Sequence, residues 1–203
     1  VLFRSRLEQI AVDVAQQTTI SEDAFLELAT TGWRERPYAA DLLPVLPPDA
    51  TLEGFLFPDT YRLPEVPTAD DLVERMLNTF DERVTRGIEG AAAQRGLSLY
   101  ELVTLASIVE REAVLAEERP IIAGVFHNRL EAGWTLDACP TVQYALGSPG
   151  NWWPPFKLDA TDTPSPYNTY QNGGLPYGPI CSPGLASIRA SAQPDDTDYF
   201  FFL

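Results

Sequence analysis

The chain has 203 residues, 45% of them hydrophobic, enough for one sizeable core or a main domain with a small appendage. Fourteen basic residues face 29 acidic ones, for a net charge of −15, and Lys157 is the single lysine, so a phosphate-binding surface for nucleic acid is not expected. Two cysteines outside any CxxC pair, Cys139 and Cys181, and one histidine, His127, argue against a zinc site, and no cofactor is expected.

In chain order, Leu7, Ile10, Ala11 and Val14 stand at helical spacing and predict a short helix over Arg6–Ala15. Ser21 caps a second helix, Glu22–Thr30, which stops at Gly32. The polar, proline-rich passage Glu35–Pro48 reads as a boundary, so residues 1–48 form a small helical unit. Leu52–Leu63 reads as an extended segment broken at Pro58-Asp59. Leu72, Met76 and Phe80 mark an amphipathic helix over Ala69–Arg83, punctuated by Gly87 and Gly90 and continued over Ala91–Arg95.

Ser98 and Glu101 form a capping box that starts the next helix, which runs to about Ala113. Its Leu102–Val109 run is the longest mostly apolar stretch and is too short to span a membrane. No signal peptide opens the chain, so the sequence alone does not locate the protein. Glu117, Glu118 and Pro120 begin a further helix that ends at Gly133. Pro140–Leu146 predicts a short helix. Asn151–Pro183 is irregular but dense in aromatics, which favours ordered loops. A last helix covers Leu185–Ala192, and Tyr199–Leu203 reads as a strand. The expected class is therefore α+β, with short strands and long Pro/Gly-rich loops.

Glu110 is the residue that breaks its pattern. Leu99, Val103 and Ala106 precede it by eleven, seven and four residues and share its helix face. Glu101 and Glu112 fall on the opposite, polar face. An ionised carboxylate on an apolar face is costly unless paired, and burial favours its protonated form. Such a group suits general acid work on a sugar oxygen. The plain structural alternative is a glutamate paired with Arg111 or another arginine.

ASIVEREA (Ala106–Ala113) closely resembles a signature of the YceG-like family, the endolytic murein transglycosylases. Five more segments match in order: LEGFLFPDTYRLP (Leu52–Pro64), RPIIAGVFHNRL (Arg119–Leu130), PTVQYALG (Pro140–Gly147), YNTYQNGGLP (Tyr167–Pro176) and GPICSPGLASIRA (Gly178–Ala190). The family's glutamate in the ASIVE segment maps onto Glu110. The resemblance implies a lytic transglycosylase acting on peptidoglycan glycan strands. Glu110 would protonate the oxygen between N-acetylmuramic acid and N-acetylglucosamine, then as a base take the muramic 6-hydroxyl proton. That oxygen closes on the anomeric carbon to leave a 1,6-anhydro end. Because the nucleophile is internal, no second carboxylate is needed to activate water.

Gln143, Tyr167, Asn168 and Tyr170 are the candidate substrate contacts, since amides and phenols suit N-acetyl groups and hydroxyls. Trp152-Trp153 offers flat faces for sugar rings, or anchors a loop. For Asn168 the bland alternative is a turn residue, and for Asp59 a turn before Thr60. Glu53, Asp59 and Ser107, all in family segments, are expected to support the site. His127 is assigned no chemistry.

The chain departs from the family pattern in places. Cys139 stands where the family commonly has Asp, with Asp137 as the nearest replacement acid. Tyr177 stands where family members usually have Pro. Cys139 and Cys181 flank motif loops, and an oxidising compartment would join them in a disulfide. The resemblance also implies that residues 1–48 are the remnant of a LysM-like unit and 49–203 the catalytic domain, that the family continues beyond Leu203, and that a single membrane helix precedes the LysM-like unit. Cell-wall synthases are expected partners, and the outer face of the cell membrane the expected location. The competing readings are a non-catalytic glycan-binding or scaffolding module of cell-wall synthesis, and a hydrolytic muramidase.

Overall fold

The computed structural model describes residues 3–42 and 46–202. Its spine is α6, Leu99–Glu112. Ser98 Oγ accepts from the Glu101 amide while the Glu101 carboxylate reaches back to the Ser98 amide, so the capping box forms as expected. Every residue from Leu102 to Glu110 is buried. The helix is enclosed on two sides. Leu102, Val103 and Ala106 enter one apolar cluster, and Leu105, Ile108 and Val109 enter a second. Glu110 is therefore buried by enclosure, where the sequence pattern suggests a one-sided stripe.

The first cluster gathers α1 (Leu7–Gln17) and α2 (Glu22–Thr30) around Ile10, Phe25 and Trp33, together with Phe55 and with Met76 and Phe80 of α4 (Ala69–Phe80). The Pro-rich passage is partly helical: a 3-10 turn over Gly32–Glu35 leads into α3, Pro37–Leu42. Residues 43–45 of that passage lie outside the described residues. After α4 the helix continues through a π turn, Asp81–Thr85, into α5, Arg86–Gln94. Gly87 therefore does not break it. Glycine weakens a helix by only about 1 kcal/mol, and the chain ends the helix at Gly96, where φ is +71°.

The second cluster is formed by α6, α7 (Arg119–Glu131) and parts of α8 (Cys139–Leu146) and α9 (Leu185–Ala192). The expected short strands do not form among the described residues, where pairing is confined to an isolated bridge between Ser148 and Asn151. The fold is helix-rich. Leu52–Leu63 forms no strand: turns and bends occupy residues 52–56 and 59, and residues 60–63 carry no regular structure. Gly54 within it has φ +83°, and a Cβ there would lie 2.6 Å from Pro179, so this close crossing requires glycine. The expected strand at 199–203 fails for a physical reason. Carbonyls of Thr197 and Tyr199 accept from Asn128, and that of Phe200 accepts from Arg129, so side chains of α7 take the acceptors a ladder would use. Leu203 lies outside the described residues.

Candidate active site

Glu110 occupies the last turn of α6, 4% exposed. Its carboxylate meets the N-terminus of α9. The Gly184 amide donates to Oε2 at 3.0 Å, and Ser187 Oγ donates to the same oxygen at 2.6 Å. A helix N-terminus is a favourable place for negative charge. Gly184 also allows close approach, because a Cβ there would lie 2.9 Å from the Phe3 ring and 3.5 Å from Oε2.

The counter-charge is Arg119. Its Nη2 lies 3.5 Å from Glu110 Oε1, and its Nε donates to Ser187 Oγ at 3.0 Å. Arg119 is the first residue of α7, where the helix dipole disfavours a cation. Its place there is explained by what it reaches. Since Arg119 donates to the Ser187 oxygen, the serine hydrogen is directed at Glu110. Oε2 is thus committed to two donors. Oε1 is too far from Arg119 for a good hydrogen bond and remains the oxygen free to exchange a proton. Arg111, the neighbour that might have paired with Glu110, instead lies over the Trp153 ring at 3.7 Å.

Glu110 opens onto a cavity of about 600 Å³, lined also by Phe3, Phe57, Asp59, Arg83 and Arg119. That volume is ordinary for a small-molecule site. Asp59 is exposed in its wall. It pairs with Arg83 at 2.5 Å, and its Oδ1 accepts from the Thr60 amide. It is thus both a turn residue and a second carboxylate of the cavity.

The other candidates are not brought to this cavity. Asn168 is fully buried: Nδ2 donates to the carbonyls of Thr161 and Thr163, and Oδ1 accepts from the Tyr170 amide. Gln143 donates to the Pro154 carbonyl. Tyr167 packs on Tyr144 with ring centroids 4.7 Å apart. Tyr170 stacks on Phe156 and meets Cys139 Sγ at 3.2 Å. Trp153 donates to Gln9, and Trp152 lies under the Arg6 guanidinium, so this pair ties its loop to α1 and the residue before it. Ser107 donates to the Thr104 carbonyl and accepts from the Ile180 amide, which fixes the loop that leads to Gly184. His127 Nε2 lies 2.8 Å from the buried Ser191 carbonyl.

Glu53 is 3% exposed and accepts from the Leu7 amide and Tyr144 Oη through Oε2, while Oε1 is buried without a partner. Burial pushes its carboxyl up to about 8. Glu112, expected on an open polar face, is only half-exposed, and burial raises its carboxyl to about 7 against the pull of the Cys139 amide and Arg111. The expected disulfide is absent. Both cysteines are free, Cys139 beside Tyr170 and Cys181 buried against the Ser107 carbonyl at 3.4 Å.

Residues 3–203 match the YceG-like family over nearly the whole chain. The chain belongs to the YceG-like family. Within it, the endolytic murein transglycosylase of Streptococcus pneumoniae serotype 2 is 34% identical over 212 aligned positions, covering 97% of this chain and 38% of that protein. The Bacillus subtilis endolytic murein transglycosylase is 37% identical over 155 positions, covering 75% of this chain and 41% of that one. This YceG-like chain thus spans about two fifths of the length of the curated relatives it matches. The fold is that of a YceG-like protein from Listeria monocytogenes solved at 2.6 Å, with a TM-score of 0.83, 30% identity, and coverage of 100% of this chain and 68% of the other.

Sequence reasoning passes over Gly184, Ser187 and Arg119. All three lie inside segments that carry the YceG-like resemblance. The signal that could have found them is Arg119 itself, a cation at the start of a helix.

Proposed function

We propose that this chain is the catalytic region of an endolytic murein transglycosylase. The observation that carries the proposal is Glu110. It is a buried carboxyl at the floor of an open cavity, with one oxygen held by Gly184 and Ser187 and the other facing Arg119. In this reading Glu110 Oε1 delivers a proton to the oxygen between N-acetylmuramic acid and N-acetylglucosamine. The carboxylate left behind faces the positive charge that develops at the anomeric carbon, and Arg119 with the α9 N-terminus compensates it. The same oxygen then takes the proton of the muramic 6-hydroxyl, which closes on the anomeric carbon to give the 1,6-anhydro end. One proton is given and one regained, so the enzyme returns to its starting state.

The names of the similar proteins and the motif series support this reading. The LysM-like identity of residues 1–48, a membrane helix preceding them, the extracytoplasmic location and the synthase partners belong to the same proposal and rest on the resemblance alone. The experiment is digestion of purified sacculi by the parent and by Glu110→Gln. The parent is expected to release soluble fragments and the variant to remain folded but inert. A variant that digests as fast as the parent removes Glu110 from the mechanism.

A further inference from the structure

Phe3, Arg4 and Ser5 belong to no helix, yet they are pinned across the C-terminal end of α6. The Arg4 amide donates to the Ser182 carbonyl at 3.2 Å, and the Ser182 amide donates to the Ser5 carbonyl at 2.9 Å. The Arg4 guanidinium donates to the carbonyls of Arg111 and Ala113, at a helix end where a cation is favoured. Arg111 returns a bond to the Arg4 carbonyl. Arg4 has φ +64°, a left-handed conformation that Asp137 alone shares among the described residues other than glycine. A long side chain holds that conformation only where its surroundings enforce it.

What this strap delivers is the Phe3 ring. Its Cδ1–Cε1 edge meets Gly184. A Cβ on Gly184 would lie 2.9 Å from Phe3 Cε1 and 3.5 Å from Glu110 Oε2, so the ring and the carboxylate flank the same point. The ring lines the Glu110 cavity and is 47% exposed, whereas Phe57, the cavity's other aromatic, is buried. Burial does not account for a ring left half in solvent.

The cavity poses a choice that its carboxylates cannot make. Asp59 is engaged by Arg83 and by the Thr60 amide, which leaves Glu110 as the base. Once the glycosidic bond has broken, Glu110 can take a proton from the muramic 6-hydroxyl or from a water. In the first case O6 bonds to the anomeric carbon and the end is anhydro. In the second the water oxygen bonds there and the end is a hydrated reducing sugar. Both routes return one proton to the same carboxylate, so the outcome depends on which oxygen can occupy the space beside it. Phe3 offers water neither donor nor acceptor, and its flat ring suits the apolar face of a pyranose.

We infer that Phe3 is a specificity-determining residue that keeps water from the anomeric carbon, and that Arg4 is the residue that positions it. This rests on the reading of Glu110 as a glycan-cleaving acid and deepens it: the choice of nucleophile is set by the strap before α1, and Glu110 serves either route.

The test is digestion of uncrosslinked glycan strands in heavy-oxygen water by the parent, Phe3→Ser, Phe3→Leu and Arg4→Ala. Mass analysis counts anhydro ends and labelled hydrated ends at equal extents of cleavage, with enzyme in excess where a variant is slow. The parent is expected to give labelled ends in under about 1% of cuts, because a well-placed internal hydroxyl has an effective concentration far above that of water. Phe3→Ser is expected to raise that share about tenfold or more by admitting water and loosening the sugar. Arg4→Ala, which frees the strap with the ring intact, raises it in the same direction. Phe3→Leu keeps apolar bulk and stays within about twofold of the parent. A purely structural role would lower the rate and leave the ratio of ends unchanged. An unchanged ratio in Phe3→Ser, or complete loss of cleavage by it, overturns the assignment while leaving the cleavage reading intact. A parent that itself yields mainly labelled hydrated ends, or cuts no strands, overturns the cleavage reading and the assignment with it.

Discussion

Glu110 and Glu53 are both buried glutamates in motif segments, at 4% and 3% exposure, yet their surroundings differ in kind. Glu110 touches a cavity and has two donors and a guanidinium. Glu53 is sealed between α1, α8 and the Leu52–Leu63 segment, with one oxygen that has no partner and a carboxyl raised to about 8 by burial. A raised carboxyl is the usual mark of a functional acid. Glu53 is raised yet inaccessible, and it serves to hold the start of α1. Access and partners distinguish the two sites better than burial does.

The comparison is broken most directly at Glu110. Replacing it with Gln keeps its shape and is expected to lower strand cleavage by about 100- to 10,000-fold, the usual contribution of a general acid, whereas Glu53→Gln should leave turnover within about threefold at pH 6. Parallel assays of both variants on the same glycan strands check this.

Next come the partners of Glu110. Ser187→Ala removes a hydrogen bond to a charged group and leaves Arg119 Nε without its acceptor. Hydrogen bonds to charges contribute about 1.5–3 kcal/mol, or about 10- to 100-fold in rate if they act in the transition state. Arg119→Gln is expected to fall in the same range, and both should act on kcat more than on KM. Asp59→Asn sharpens the mechanism. A hydrolytic muramidase that relies on a second carboxylate would lose about 100-fold or more, but a transglycosylase with an internal nucleophile should lose less than about tenfold.

Smaller effects concern stability. Asn168→Ala removes three partly buried hydrogen bonds that close the loop 161–170. It is expected to cost about 2–3 kcal/mol in chemical denaturation without abolishing cleavage, because Asn168 does not line the Glu110 cavity. For Glu53, the folded carboxyl sits near 8 against 4.5 unfolded. The folded state therefore holds the proton more tightly. The contribution of Glu53 to stability is full below about pH 4.5 and is lost as pH rises through about 8. Glu53→Gln should flatten that fall, leaving a residual slope to which Glu112, raised to about 7, contributes in the same direction. Denaturation at pH 5, 6.5 and 8 measures the slopes. Thiol labelling completes the series: Cys139 reacts in the folded protein, and Cys181 reacts only after unfolding.

Much of the helical framework is legible in the sequence. Ser21 and Ser98 each cap the helix they precede, as expected. Apolar spacing locates α1 and α4, and the same spacing sets Glu110 apart from Glu101 and Glu112. Three things are not legible. The strands are expected from short apolar runs, but whether a ladder forms depends on which distant groups claim the carbonyls, and Asn128 and Arg129 claim them. The polar residues between 143 and 170, on α8 and the loops after it, look like ligand contacts because their chemistry suits sugars. The same chemistry suits loop carbonyls, and only the folded chain shows that the amides of Asn168 and Gln143 are already engaged. Arg119 and Ser187 reach Glu110 from two other helices, a convergence that spacing along one helix cannot reveal.

The central claim is that Glu110 cuts glycan strands without water. Its most direct test is mass analysis of the products from uncrosslinked glycan strands incubated with the parent protein, with Glu110→Gln as the control. The account predicts 1,6-anhydro-muramic ends from the parent and none from the variant. Products ending in hydrated reducing sugars, or anhydro ends formed equally by the variant, would contradict it.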